Sequence, residues 1–142
     1  MNLSSLTKVL LPVAITAICA CSTHHRANGW YPIADYPDDS VVGEPLVTAD
    51  DFENIVMFTD TFIMAGDTVT QMLIQGCVNP EKRSKWADGT ERMIGKRLGF
   101  VYNDSVITAP QINVRLESGT FQIISPDTLL LKEIYRSIRR GS

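Results

Sequence analysis

The chain has 142 residues, a formal net charge of -3 and an isoelectric point near 5.3. Its 44% hydrophobic and 20% charged residues are ordinary for a globular protein, so we expect one compact domain. An acidic chain without a basic, aromatic stripe cannot neutralise a phosphate backbone, which argues against a nucleic-acid partner.

The N-terminus has the pattern of a secretory signal. Lys8 precedes an apolar run from Val9 to Ile18, which is shorter than the roughly 20 residues of a membrane-spanning helix. The run ends in Ile18-Cys19-Ala20-Cys21, which resembles a lipobox, with an aliphatic residue, two small residues and the acylated cysteine. We predict a lipoprotein signal peptide over residues 1–20 and a lipid on Cys21. An ordinary secretory signal or an uncleaved anchor is the alternative.

Residues 21–45 have the composition of a tether, because they contain three prolines and two glycines and show no apolar periodicity. We predict a lipidated, flexible segment that holds the domain outside the cytoplasm, on a cell membrane or outer membrane. His24 and His25 are adjacent but lack a third ligand, so no zinc site is predicted. Trp30 and Tyr31 either rest at the lipid headgroups or fold back on the domain.

One cysteine, Cys77, remains in the predicted domain, which therefore has no internal disulfide. We interpret it as an inert thiol at the end of a strand, because no histidine or lysine cluster near it in the sequence would activate it.

Local patterns beyond Leu46 predict alternating helices and strands. Thr48 and the acidic residues after it indicate a short helix over 49–56, and the β-branched run over 68–77 indicates a strand. Asn79-Pro80-Glu81 has the order of an N-cap, a first-turn proline and an acid, so a second helix follows.

The C-terminal half is predicted as a hairpin, an edge segment, a strand and a helix. Asn103-Asp104 joins two apolar strands over 98–102 and 105–108. Alternating Ile112, Val114 and Leu116 indicate a strand or an extended edge, residues 120–124 form a strand, and the last helix begins near Ser125. This order favours a two-layer α+β fold, with a mainly antiparallel sheet covered by helices on one face.

The order of these pieces resembles the head of the first periplasmic domain of the SecD and SecDF protein-export proteins. In that family, a helix ending in a threonine and a Gly-Lys pair is followed by an apolar strand, a short polar turn and the sequence Val-x-x-Ala-Pro. An isoleucine, a glycine and a Gln-Ile strand follow. In this sequence the pieces are Thr90, Gly95-Lys96, Leu98 to Tyr102, Val106, Ala109-Pro110, Ile112, Gly119 and Gln122-Ile123.

The resemblance covers residues 46–142, and it implies an accessory role in the cell envelope. The chain departs from the family in three ways. After the signal we expect no membrane-spanning helices with the ionisable residues that energy coupling requires. The usual second glycine of the Gly-Gly turn is replaced, with Ser118 before Gly119, and the base of the family domain is expected to be absent.

Two functional hypotheses follow, both without catalysis or a cofactor. The first is a binding or accessory module that contacts extended polypeptide or export machinery through a sheet edge near Ala109-Pro110. Its predicted surface consists of Ser105, Ile107, Ala109, Pro110, Ile112 and Val114. The alternative is a structural or assembly lipoprotein that binds a folded envelope partner. We predict no enzyme and no small-molecule substrate, because the sequence shows no nucleophile motif and no metal-ligand spacing.

Overall fold

The computed structural model describes residues 24–140, so the predicted signal peptide and Cys21 lie outside the described residues. This part of the chain contains seven strands, two helices and one 3₁₀ turn at Ala49–Asp51. The strands are β1 (Gly29–Ile33), β2 (Val47–Thr48), β3 (Phe52–Met64), β4 (Asp67–Val78), β5 (Arg97–Tyr102), β6 (Ser105–Thr108) and β7 (Thr120–Ile124); the helices are α1 (Arg83–Arg92) and α2 (Thr128–Arg140).

The strands form two antiparallel sheets, in the orders β2-β1-β5-β6 and β3-β4-β7. The predicted α+β class is therefore confirmed. Helix α2 packs on β3 and β4 with its buried residues Leu131, Ile134 and Ile138. The predicted strand over 68–77, the hairpin around Asn103-Asp104 and the strand over 120–124 all occur, and both hairpin-turn residues have the positive φ that such loops need.

One aromatic core joins the two sheets and both helices. Phe52 and Phe121 lie 4.4 Å apart between ring centroids, and Trp30 meets Trp86 edge to face at 6.0 Å. These side chains come from β1, β3, β7 and α1, so elements far apart in sequence bury one another. Aromatic contacts of this geometry add about 0.5–1.5 kcal/mol each beyond the area they bury.

The tether prediction is wrong for the part of residues 21–45 that forms β1. Its strand pairs with β2 on one side and β5 on the other, and Trp30, Tyr31 and Ile33 are at most 4% exposed. Residues 34–42 then fold back on it, since the amide of Val42 donates to the carbonyl of Pro32 at 3.0 Å. Both faces of β1 are covered, so the strand shows no polar alternation and its sequence resembled a linker.

One further prediction is wrong, and one of two alternatives for a second segment is excluded. The helix expected over 49–56 is one 3₁₀ turn, in which the Asp51 carboxylate accepts the Thr48 amide at 3.1 Å, and the 13-residue strand β3 follows directly. The segment with Ile112 and Val114 makes only isolated bridges and forms no strand. Its alternation fails because Ile112 is buried whereas Val114 is 60% exposed.

Candidate functional site

A cavity of about 380 Å³ opens between the two sheets, where β7 faces the segment 110–116. The tryptophan rings of β1 and α1, with Leu98 and Phe121, come from the core beneath it. We call this cavity the β7 groove. It is lined by Trp30, Trp86, Leu98, Pro110, Ile112, Leu116, Thr120, Phe121, Gln122 and Ile124.

Strand β7 is an edge strand along the groove. The amide of Val78 donates to the carbonyl of Gly119 at 2.9 Å, and the register with β4 continues without a bulge to Ile124. Bonded and non-bonded pairs alternate in an antiparallel ladder, so the backbone groups of Gln122 and Ile124 point away from β4. No hydrogen bond joins them to β6 or to residues 110–116 in the described chain.

The two tryptophans leave polar donors without acceptors at the groove. Trp30 is 3% and Trp86 is 1% exposed, yet neither indole Nε1–H has a hydrogen-bond partner within the described residues. An unpaired buried donor costs about 1–3 kcal/mol, and native structures contain few of them.

The opposite wall of the groove, residues 110–116, is held by backbone bonds. The amide of Leu98 donates to Pro110 at 3.0 Å, and the amide of Ile112 donates to Lys96 at 2.9 Å. Both hydrogen bonds connect residues 110–112 to β5 or to the residue before it, so the position of this wall does not depend on a ligand.

Helix α1 holds the far end of this wall. The buried Thr90 hydroxyl donates to the carbonyl of Ala87 at 2.9 Å and accepts the amide of Leu116 at 3.0 Å. Arg115 adds ion pairs to Asp88 at 2.7 Å and Glu91 at 2.9 Å. Hydrogen bonds to Asp88 first, and then to Glu117, raise the pKa of Arg115 above its already high value, so the guanidinium itself stays charged.

The structure brings part of the predicted surface to the groove. Pro110 and Ile112 line it. Ile107 packs on the main core, Ala109 packs on a small cluster around Tyr31 and Val101, and Val114 is exposed outside the groove lining. Ser105 is exposed at the start of β6 and does not line the groove either.

Local sequence patterns do not reveal the groove lining or the β7 edge. The predicted second helix forms as α1 and buries Trp86, but its pattern contains no sign of an unpaired indole N–H. The strand over 120–124 was predicted, whereas its place at a sheet edge depends on pairings between distant residues.

The described residues present no evident catalytic or metal centre. Among them no three His, Cys, Asp or Glu side chains are close enough to share a metal ion. Cys77, half-buried on β4, has Thr120 Oγ1 3.9 Å from its sulfur. Between residues 24 and 140, no helix combines the length and the hydropathy that a bilayer crossing requires.

These features define an α+β domain with an apolar groove beside an edge strand. A family model for the SecDF P1 head subdomain matches residues 40–130, which is most of the chain, and the chain belongs to this family. The resemblance inferred from the motifs is thereby confirmed.

Two solved structures are similar to the chain. One is described as a membrane component SecDF that enhances protein export, and the other as SecDF in a super-membrane-facing form. Each is 27% identical over 75% of this chain with a TM-score of 0.56, and the match covers 44% and 13% of those chains respectively. The chain thus spans less than half of either relative. No curated protein matches it.

Proposed function

We propose that the chain is a lipid-anchored, non-catalytic binding module of the cell envelope, whose β7 groove takes an extended polypeptide segment as an added strand. The observation that carries the proposal is the unpaired edge of β7 along a groove lined mainly by apolar side chains. Membership of the SecDF head family supports it, since one relative is described as enhancing protein export.

Strand addition supplies both kinds of contact that the groove offers. The outward backbone groups of Gln122 and Ile124 would pair with the backbone of the incoming chain, which binds without regard to its sequence. Its side chains would meet the apolar wall at Pro110 and Ile112, which prefers apolar residues at alternate positions. A site of this kind suits a chain that is not yet folded, because only such a chain has free backbone groups.

The anchor completes the proposal. A lipid on Cys21 would hold the domain at a membrane on its periplasmic or exterior side, where exported chains emerge. Intact mass spectrometry of the chain purified from membranes tests this part separately, and an unmodified Cys21 would remove the anchor from the account.

Photo-crosslinking tests the binding site. A benzoylphenylalanine at Gln122 on β7 should capture an unfolded, Trp-free polypeptide, whereas the same group at Lys85, exposed on α1, should not. Competition by unlabelled peptide should reduce the Gln122 product. Equal labelling at both positions would mean that the chain binds peptide without using the groove.

A folded envelope partner is the second candidate, and the hairpin of β3 and β4 is the observation that favours it. Residues 59–72 extend beyond the last strand pair with β7 and form the distal hairpin, whose tip exposes Ile63 by 78% and Met64 by 59%. Exposed apolar tips of this kind occur at protein interfaces. A pulldown from native membranes with and without residues 60–71 separates the candidates, because only a partner of the hairpin is lost with them.

A further inference from the structure

The start of the described chain lies against the C-terminal end of α2. Ala27 and Asn28 line a cavity of about 270 Å³ together with Ser137 and Ile138 of that helix. The Nδ1 atom of His25 lies 2.6 Å from the Asp104 carboxylate, and the Arg26 amide donates to the same group at 2.8 Å. The chain that leads to Cys21 therefore leaves the domain beside the last turn of α2.

Chain length limits how far the predicted anchor point can be from this place. Cys21 is six positions before Ala27 in the sequence, and six residue steps span at most about 22 Å when fully extended. A membrane that holds a lipid on Cys21 must therefore lie within that reach of the last turn of α2.

The same end of the domain carries clustered positive charge. Arg136, Arg139 and Arg140 are exposed within five residues at the end of α2. The guanidinium of Arg139 stacks over the Tyr135 ring at 5.5 Å and donates to the Tyr135 hydroxyl at 3.0 Å. Three guanidinium groups at one helix end match the phosphate groups of anionic lipids.

The acids near this cluster are fewer than its arginines. Glu133, which accepts a hydrogen bond from the Tyr102 hydroxyl at 3.1 Å, shares a cavity with Arg136 and Arg140 and offsets part of their charge, whereas Asp104 is bonded to His25 and to the Arg26 amide. Asp50 is exposed beside the cavity at Ala27.

The distal hairpin lies at the other end of α2, since Phe62 and Met64 share a cavity with Thr128.

We propose that Arg136, Arg139 and Arg140 form a docking surface for anionic phospholipid headgroups, which orients the domain with α2 towards the membrane and the distal hairpin away from it. The inference rests on the proposed lipid anchor for its geometry. A purely local role, in which the arginines only offset the negative end of the helix dipole, would give no dependence on lipid charge.

Vesicle partition tests the surface without the anchor. The chain with Cys21→Ser, lacking its signal, is mixed with vesicles of phosphatidylcholine alone or with one third phosphatidylglycerol. Partition into the anionic vesicles should be about tenfold higher and should disappear in high salt. The variant R136Q/R139Q/R140Q should lose this preference. The matched control K82Q/K85Q/R92Q removes three exposed charges around α1 and should keep it.

Equal partition into both vesicle types, or an equal loss in both variants, would overturn the docking surface. Circular dichroism of each variant confirms that it is folded before the comparison is made. Failure of the anchor is a separate result, because it appears as an unmodified Cys21 in the wild-type chain and leaves the partition measurement intact.

Discussion

Single residues fix how the strands and the groove wall meet, and Gly29 is the tightest of these contacts. A Cβ atom at Gly29 would lie 2.4 Å from the carbonyl oxygen of Val47 and 2.8 Å from the Cα of Thr48. Gly29→Ala must therefore displace β2, and we expect a loss of about 1–3 kcal/mol in the free energy of unfolding, measured by urea denaturation. Val42→Ala, at a 56% exposed position of the same predicted tether, should change it by less than about 0.5 kcal/mol. Equal, small effects would mean that residues 21–45 are a tether after all.

Thr90 connects helix α1 to the groove wall through its buried hydroxyl. Thr90→Val keeps the shape of the side chain but leaves the amide of Leu116 without its acceptor, which costs about 1–3 kcal/mol. We expect lower stability by chemical denaturation and faster amide exchange at Leu116. Thr90→Ser keeps the hydroxyl and should restore protection of that amide. Unchanged exchange in Thr90→Val would show that the backbone bonds alone hold the wall.

The N-terminal segment responds to acid through Asp104. The amide of Arg26, and then His25, hold the pKa of Asp104 below its ordinary value. A carboxyl group with a lowered folded pKa stabilises the fold at neutral pH, and this contribution fades as the pH falls through that folded pKa. The chemical shift of the Arg26 amide should therefore change only at a pH below the ordinary titration range of aspartate. Asp104→Asn should make the titration disappear, and a transition within or above that ordinary range would contradict this assignment.

At the scale of elements, the distal hairpin should be separable from the rest of the fold. Thr59 pairs with Met72 across β3 and β4, so replacing residues 60–71 by Asn-Gly closes the strands with a two-residue turn. The removed residues lie beyond the pairing of β4 with β7. We expect the shortened chain to unfold cooperatively and to bind peptide as the full chain does, as measured by thermal melting and titration. If the shortened chain folded but lost its affinity for peptide, the binding site would lie in the distal hairpin and not in the β7 groove.

The elements that the sequence predicted correctly are those with local signals. Asn103 and Asp104 tolerate the positive φ of a two-residue turn, so they indicate the hairpin. Apolar residues spaced three or four apart indicate helix α2 and its buried face. By contrast, β1 is covered on both faces and β3 has a bulge between Glu53 and Val56, so neither shows a clean alternation. Pro110 and Ile112 were predicted as surface residues of a sheet edge and line the groove. They come directly after the hairpin of β5 and β6, which the sequence predicted. The indole donors and the free β7 edge arise from tertiary pairing, which no local pattern contains.

At the scale of the whole molecule, the β7 groove lies between the two sheets, and Ala27 and Asn28 lie beside the end of α2 that is opposite the distal hairpin. The predicted signal peptide and Cys21 lie outside the described range, so the proposed anchor rests on the sequence motif alone. The groove rests on described contacts. A test of peptide binding therefore has to measure a signal from the groove itself, in protein that carries no lipid.

The tryptophans supply that test, because the chain contains two and both line the β7 groove. Titration with a Trp-free, extended apolar peptide should shift and saturate the tryptophan emission, because the peptide would cover the two indole rings that line the groove. The same peptide with alternate amides N-methylated along one edge cannot complete the strand pairing and should have little effect. An unchanged emission with bound peptide, or an equal response to both peptides, would contradict strand addition in this groove.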